Sequence, residues 1–227
     1  MPRWGSARSD HHSCSFLLVL LSMSKPKFAS TERFNAEHQL VYYGSFHSHP
    51  VNVAIHLVFI PIIFWSTQVL LAKIPVPYSL QLPSEFTHII SPNAVFIPNW
   101  AAFQTFTLFA YYFLLEPTAA LLFVPALGLI LTTATAYAEH PDTLGFAFIL
   151  NILSWIAQFI GHGVAEKRAP AVTDNVAAAL FLAPFFVHIE ILFFFGYRRE
   201  LYEKVQKGVK AELKKIHTGA TGRKIDD

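Results

Sequence analysis

Charged residues are sparse across the whole middle of this 227-residue chain. Of its 32 Asp, Glu, Lys and Arg residues, 8 lie in residues 1–37 and 14 in residues 198–227, which leaves 10 for the 160 residues between them. About a quarter of the residues of a soluble domain are charged, because its surface faces water. The charge distribution therefore excludes a soluble globular enzyme and predicts a chain whose middle part is embedded in a lipid bilayer.

Three runs in that middle part are long and apolar enough to cross a bilayer, which takes about 20 residues of helix. They are residues 51–72, 143–162 and 175–197. The first two carry no charged residue, and the third is interrupted only by His188 and Glu190. We predict that each run forms a membrane-embedded helix.

A further apolar stretch, residues 100–138, contains a break at Glu116-Pro117. Proline disfavours helix in the residue that precedes it, so we predict a hairpin of two helices near 100–115 and 118–138. The first of these is short for a full crossing and is a candidate re-entrant segment. The predicted fold class is all-α, a polytopic helical membrane bundle of four or five membrane-embedded helices with a basic amphipathic C-terminal helix.

The two ends of the chain hold most of the Lys and Arg residues, with nine of the 17 in the tail and five before Val51. Because Lys and Arg accumulate on cytoplasmic flanks, we predict that both ends are cytoplasmic. An even number of crossings follows, which conflicts with the five candidate segments. We divide the chain into a disordered leader (1–34), a membrane-embedded catalytic domain (35–200) and a cytosolic tail (201–227). Five prolines indicate that residues 73–99 form a loop on one membrane face.

The C-terminal tail has the pattern of an amphipathic helix. Apolar side chains recur at spacings of three and four, as on one helix face, at Leu201, Val205, Val209, Leu213 and Ile216. Lysine and arginine residues surround this apolar stripe. Two interpretations are equally favoured: a helix that lies on an anionic leaflet, with membrane lipids as its partner, or a solvated helix with a modest packing face.

Composition argues against a nucleic-acid partner and excludes two kinds of cysteine-based site. The formal net charge of +2 is too small to suggest a nucleic-acid partner. The single cysteine, Cys14, excludes a disulfide framework and a thiolate metal cluster. Candidate metal ligands are therefore histidines and carboxylates.

Four ionisable side chains that are far apart in the sequence are predicted to meet at one membrane face. If the first two spans lie antiparallel, His47, His56, His162 and Glu166 gather there. A lone membrane histidine can equally be a hydrogen-bonding group between helices, but three imidazoles and a carboxylate suit Fe(II), Zn(II) or Mn(II). We predict a metal site at the three histidines, with Glu166 as a further catalytic residue that either binds the metal or orients an imidazole. Asn52 shares a helix face with His56 and is a candidate substrate-binding residue.

The residues around His162 add two local arguments. Glycines on either side, Gly161 and Gly163, allow a close approach of the backbone. Lys167 and Arg168 follow just outside the apolar run. They are candidates for binding a substrate carboxylate at the headgroup level, although they also fit ordinary positive charges that flank a span.

Two long motifs contain these candidates. The first, YGSFHSHPVNVAIH, runs from Tyr43 to His56, and the second, WIAQFIGHGVAEKRAP, runs from Trp155 to Pro170. Asp174-Asn175 and, in the last span, Leu182-Ala-Pro184 with Glu190 complete the pattern. With these motifs, roughly residues 35–200 resemble the eukaryotic 2-hydroxy-fatty-acid dioxygenase family, which was long described as a domain of unknown function.

The resemblance implies a multi-pass, iron(II)-dependent enzyme of the endoplasmic-reticulum membrane. Such an enzyme would use molecular oxygen to shorten a long-chain 2-hydroxy fatty acid by one carbon, an α-oxidation in the breakdown of phytosphingosine. The family histidines carry over at His47, His56 and His162. Two positions depart from the family pattern: His49 stands in place of Asn, and His188 in place of an apolar residue. Neither is counted as a family ligand.

The acyl chain of such a substrate would lie among aromatic side chains that are equally suited to helix packing or lipid contact: Phe59, Trp65, Phe146, Trp155 and Phe159. A non-enzymatic alternative is a membrane transporter or scaffold in which His188 and Glu190 carry protons or hold helices together. A histidine-box hydroxylase or desaturase ranks lower, because only His47 and His49 are closely spaced within the middle part.

Overall fold

The computed structural model describes residues 34–167 and 176–218. Within these residues the fold is all-α, as predicted, apart from one small hairpin. The helices are α1 (Ala36–Phe46), α2 (Pro50–Ala72), α3 (Trp100–Leu115), α4 (Pro117–Glu139), α5 (Thr143–Ile160), α6 (Val176–Phe194) and α7 (Arg199–His217). A π-helix, Gly161–Glu166, continues α5. Residues 1–33 of the predicted leader lie outside the described residues, and so does Arg168.

In the part of the chain that the structure describes, three helices are long and apolar enough to cross a membrane, namely α2, α4 and α5 together with the π-helix. Helix α6 is a candidate fourth if it forms one span with α7, from which it is bent by 118°. Helix α3 has 16 residues, or about 24 Å at 1.5 Å per residue, so it is shorter than the hydrocarbon core of about 30 Å. The break predicted at Pro117 is present, because α3 ends at Leu115 and α4 begins at Pro117.

The start of α2 is specified by His49 and Pro50. The Nδ1 atom of His49 accepts a hydrogen bond from the backbone N–H of Val51 at 3.2 Å, which makes His49 the N-cap. Pro50 takes the first helical position, where its missing N–H does no harm. Asn is among the best N-cap residues because its side chain accepts a hydrogen bond of this kind, and His49 provides that acceptor here.

The segment predicted as a loop, residues 73–99, contains more structure than expected. Two short 3-10 turns, Tyr78–Leu80 and Ser84–Phe86, precede an antiparallel hairpin of β1 (His88–Ser91) and β2 (Ala94–Phe96). Phe96 packs on a small core at the start of α3 and the middle of α4. Strands of three and four residues are too short to produce a recognisable alternation of polar and apolar residues.

Helix α7 packs against α1 through the predicted apolar stripe. Four of its side chains are buried and Leu213 is half-buried; the buried ones are Leu201, Val205, Val209 and Ile216. A Cβ added to Gly208 would lie 2.5 Å from Val41, and one added to Gly44 would lie 2.7 Å from Val209. Since protein covers this face, the interpretation as a packing face is favoured. The cytosolic location of the tail stays a prediction.

The sharp turn between α6 and α7 is tied to the start of α4. Gly196 and Arg198 both have left-handed backbone angles there, with φ of 85° and 41°. Glu116, which is buried, forms an ion pair with Arg198 and accepts a hydrogen bond from the hydroxyl of Tyr197 at 3.1 Å. These contacts set the direction in which α7 leaves the bundle and returns to α1.

Candidate metal centre

Three histidines meet where α1, α2 and the π-helix come together. His47, His56 and His162 each offer one ring nitrogen, and these three atoms lie within 4.8 Å of one another. The ring centroids are 4.3 to 4.9 Å apart. His56 and His162 are buried, and His47 is half-buried. We call this group the histidine cluster.

Backbone carbonyls orient two of the three rings. Nδ1 of His47 lies 2.8 Å from the carbonyl oxygen of Tyr43, and Nδ1 of His56 lies 2.9 Å from that of Asn52. A carbonyl oxygen only accepts, so in each ring Nδ1 carries the proton and Nε2 keeps its lone pair. Metal-binding histidines are commonly held in this way. Together with His162, these rings can form a site for a divalent transition metal.

The carboxylate of Glu166 lies beside the cluster and binds the start of α2. It accepts hydrogen bonds from the backbone N–H groups of Ser48 (2.6 Å) and His49 (2.7 Å), the Ser48 hydroxyl (2.8 Å) and Nδ2 of Asn52 (3.2 Å). Three of these donors converge on Oε1 and the Ser48 hydroxyl bonds to Oε2, so both carboxylate oxygens accept hydrogen bonds. Negative charge is also favourable at a helix N-terminus. Glu166 therefore joins the π-helix to the turn between α1 and α2, the two segments that carry His162 and His47.

The three candidate substrate-binding residues lie in different surroundings. Asn52 is completely buried and donates hydrogen bonds to the carbonyl oxygen of Phe46 and to Glu166. Lys167 is exposed, has a left-handed φ of 51° and ends the π-helix. Arg168 lies outside the described residues. Asn52 and Lys167 do not contribute to the wall of the main cavity that the described residues form.

Gly161 permits the close contact between α2 and the π-helix. A Cβ at this position would lie 2.6 Å from Oδ1 of Asn52 and 3.2 Å from Cδ1 of Ile55, whereas a Cβ at Gly163 would meet nothing within 4 Å. The close approach predicted for both glycines is thus found only at Gly161. Asn52 cannot easily give way, because its side chain is buried and hydrogen-bonded to two segments.

A cavity of about 200 Å³ begins at the histidine cluster and is lined mainly by apolar side chains. On α2 its wall extends from His56 to Thr67, which is about 16 Å at 1.5 Å per residue. Thr67 and Gln104 lie at the far end. The apolar wall includes Ile60, Ile63, Phe64, Leu108, Trp155, Phe159, Leu180, Phe181 and Pro184.

The aromatic residues predicted to hold an acyl chain are divided between this wall and other places. Trp155 and Phe159 line the cavity, whereas Phe146 is exposed on the outer surface. Trp65 donates a hydrogen bond to the hydroxyl of Thr133 on α4 at 3.1 Å. Sequence reasoning missed the aliphatic wall residues, since a cavity-facing isoleucine has the same sequence signal as a lipid-facing one.

A second, much smaller cavity of about 10 Å³ adjoins His47 and His56, with room for about one water molecule. Tyr43 and Glu190 are part of its wall. The ring of Tyr43 stacks on that of His47 with centroids 3.9 Å apart. Burial, with a smaller contribution from Glu190, raises the pKa of the Tyr43 phenol above its ordinary value, so the phenol stays neutral. Glu190 therefore belongs to the surroundings of the histidine cluster.

Comparison with known proteins identifies the family. Residues 34–195 match the family described as 2-hydroxy-palmitic acid dioxygenase Mpo1-like. The chain belongs to this family. A relative in Saccharomyces cerevisiae, the 2-hydroxy-palmitic acid dioxygenase MPO1, is 35% identical over 165 residues, which are 72% of this chain and 83% of the yeast protein. No solved structure matches the chain. The resemblance drawn from the two motifs is confirmed.

Proposed function

We propose that this Mpo1-like protein is an iron(II)-dependent dioxygenase that performs α-oxidation of long-chain 2-hydroxy fatty acids. The observation that carries the proposal is the position of three imidazoles at the head of a mainly apolar cavity. Membership of the family supports the reaction class, because the yeast relative is a 2-hydroxy-palmitic acid dioxygenase. We further propose that the enzyme lies in the endoplasmic-reticulum membrane and that its reaction belongs to phytosphingosine breakdown.

The residues of the site have separate tasks in this proposal. His47, His56 and His162 hold the ion, and Glu166 holds the segments that carry two of them. A bound iron(II) ion would supply the redox chemistry and a template for the hydroxyl and carboxylate oxygens. The cavity accommodates the acyl chain and excludes water from the reacting carbons. Lys167, which lies outside the cavity, is a candidate for attracting the carboxylate before it enters.

The overall reaction balances with molecular oxygen as the oxidant. Cleavage of the bond between C1 and C2 of a 2-hydroxy acid, with one O₂ consumed, yields a fatty acid one carbon shorter, carbon dioxide and water. Atoms and electrons balance in this equation, so the reaction requires no further reductant. Uptake of one O₂ for each CO₂ released is therefore the expected stoichiometry.

The wall between α5 and α6 offers a path from the bilayer. Phe159, Leu180 and Phe181 line the cavity and are also 44 to 49% exposed on the outside of the bundle. This outer surface would contact lipid acyl chains in a membrane. A fatty acid can thus enter from the side, with its tail in the lipid and its polar head near the interface.

The proposal is tested with the purified protein in detergent and 2-hydroxyhexadecanoate as substrate. We expect about one iron ion per chain and oxygen uptake only when the 2-hydroxy acid is present. Substrate labelled at C1 should release its label as carbon dioxide. Treatment with a chelator is the control, and activity should return with iron(II). Metal-free protein without substrate-dependent oxygen uptake would contradict the proposal and favour a transporter or scaffold.

A further inference from the structure

Gln158 is a buried amide in the cavity wall for which the described fold supplies no partner. The residue is 4% exposed, and it lines the main cavity. Neither Nε2 nor Oε1 has a hydrogen-bond partner among the described residues. Buried polar groups in native proteins almost always have partners. A cavity-lining residue whose amide is unpaired at both ends is therefore a candidate for binding a polar ligand.

The position of Gln158 along α5 indicates which part of a ligand it would contact. It lies four residues before His162, on the same helix face and about 6 Å along the axis from it. It follows Asn151, whose amide donates a hydrogen bond to the hydroxyl of Thr67 at the far end of the cavity at 3.0 Å. Gln158 therefore lies between the histidine cluster and the part of the cavity that would hold the acyl chain.

The polar groups at the far end of the cavity differ from Gln158, because other side chains bind them. Gln104 accepts a hydrogen bond from Nε2 of Gln68 at 2.8 Å, and Thr67 accepts the one from Asn151. These contacts hold α2, α3 and α5 together. Of the two glutamines in the cavity wall, Gln158 is the one whose amide has no partner at either end among the described residues.

We propose that Gln158 recognises the 2-hydroxy-carboxylate head of the fatty acid and determines the preference for 2-hydroxylated chains. This inference rests on the proposed function, which supplies the substrate class. A primary amide offers N–H donors on Nε2 and an acceptor on Oε1. A carboxylate only accepts, whereas a hydroxyl also donates. A 2-hydroxy acid can therefore use both ends of the amide: a carboxylate oxygen accepts from Nε2, and the hydroxyl donates to Oε1.

An unhydroxylated acid would leave Oε1 buried without a donor, which disfavours its binding. The direction of the chain agrees with this assignment. C2 is the first carbon on the tail side of the carboxylate, and Gln158 lies on the tail side of the histidine cluster. Gln158 would be a binding residue that acts on specificity, and it is not assigned a role in holding the metal.

The test compares 2-hydroxyhexadecanoate with hexadecanoate as ligands of the iron-loaded chain. Binding is measured without oxygen, so that no turnover occurs, after oxygen uptake by the wild-type protein has been established. We expect Gln158→Leu to reduce the preference for the hydroxylated acid by about tenfold, the contribution of one net hydrogen bond, while the iron content stays unchanged. Gln104→Leu is the matched control: it acts at the tail, which both acids share, so their affinity ratio should stay as in wild type.

Gln158→Asn is a second variant. It keeps an amide on a side chain that is shorter by one methylene group, and it should also lower the preference for the hydroxylated acid. An unchanged preference in either folded variant would overturn the assignment. Loss of iron in both variants would overturn it as well, since Gln158 would then act through His162. These results differ from failure of the proposed function, which is an inactive wild-type protein; that result would remove both proposals.

Discussion

Imidazoles lie among apolar helices at two places in this bundle, and their ring nitrogens are used differently. Between α4 and α6, Nε2 of His188 lies 3.1 Å from the carbonyl oxygen of Ala119, and the ring stacks on Phe123 with centroids 4.3 Å apart. In the histidine cluster, two rings bond through Nδ1 to carbonyl oxygens of their own chain segment, four residues earlier. His188 joins α6 to α4, whereas the three rings of the cluster bring one nitrogen each close to the other two.

The difference shows why an ionisable residue in an apolar helix does not by itself indicate a functional site. Both places contain buried or half-buried imidazole, and both satisfy one ring nitrogen with a carbonyl oxygen. The two places differ in what surrounds the ring nitrogens that do not bond to a carbonyl oxygen. Three nitrogens within 4.8 Å suit a metal ion, while a single ring that bonds to a neighbouring helix suits helix packing.

The largest effect should come from removing a ring of the cluster. His47→Ala, His56→Ala or His162→Ala each deletes one of three nitrogen ligands, so we expect loss of bound iron and of substrate-dependent oxygen uptake. Metal content per chain and oxygen consumption are measured on the same sample. His88→Ala, at an exposed histidine of β1, is the control and should keep both. Wild-type turnover in any of the three variants would remove that residue from the ligand set.

Glu166 should have the next largest effect, because it holds the start of α2 against the π-helix. Glu166→Ala leaves the N–H groups of Ser48 and His49 without their acceptor, and we expect iron affinity to fall about 10- to 100-fold, as for other residues that support metal ligands. Glu166→Gln keeps one acceptor oxygen and should lose much less. Titration with iron(II) measures both. A Gln variant as defective as His162→Ala would instead indicate that the carboxylate binds the metal itself.

Much of the helical framework could be predicted, because charge-free runs of span length have few alternatives. The predicted run 51–72 became Pro50–Ala72, and Glu116-Pro117 separates two helices as expected. Helix α1 gave no comparable signal, since it has 11 residues of mixed polarity. Its position matters nevertheless, because His47 follows it directly. The hairpin between α2 and α3 was missed because its strands, of four and three residues, are also too short to give a clear pattern.

The sequence was enough to predict which residues form the histidine cluster, but not how they are held in place. Sequence spacing and the family motifs selected His47, His56 and His162, yet two of the four donors to Glu166 are backbone N–H groups of a turn, which no side-chain pattern reveals. Gln158 stood inside the second motif without an assigned role. Its importance depends on the absence of a partner among the described residues, which is a property of packing and leaves no trace in the sequence.

A pair of glycine substitutions sharpens the comparison at the edge of the cluster. Gly161→Ala places a methyl group 2.6 Å from Oδ1 of Asn52 and should displace the residue that links Phe46 to Glu166. We expect a stability loss of about 1–3 kcal/mol, typical of overpacking, and a several-fold weaker affinity for iron. Gly163→Ala meets no neighbour within 4 Å and should stay within about 0.5 kcal/mol of wild type. Thermal unfolding in detergent and iron titration distinguish the two; equal effects would contradict the contact at Gly161.

The smallest effect is expected at His188, where the imidazole joins helices. His188→Phe keeps a ring to stack on Phe123 but removes the hydrogen bond to Ala119, and interhelical hydrogen bonds in membrane proteins contribute about 0.6 kcal/mol on average. His188→Ala also removes the stacked ring and should cost more stability, while iron content and oxygen uptake stay near wild type in both. If either variant lost iron while it remained folded, His188 would belong to the metal site, and the distinction between a packing imidazole and a ligating one would fail for this bundle.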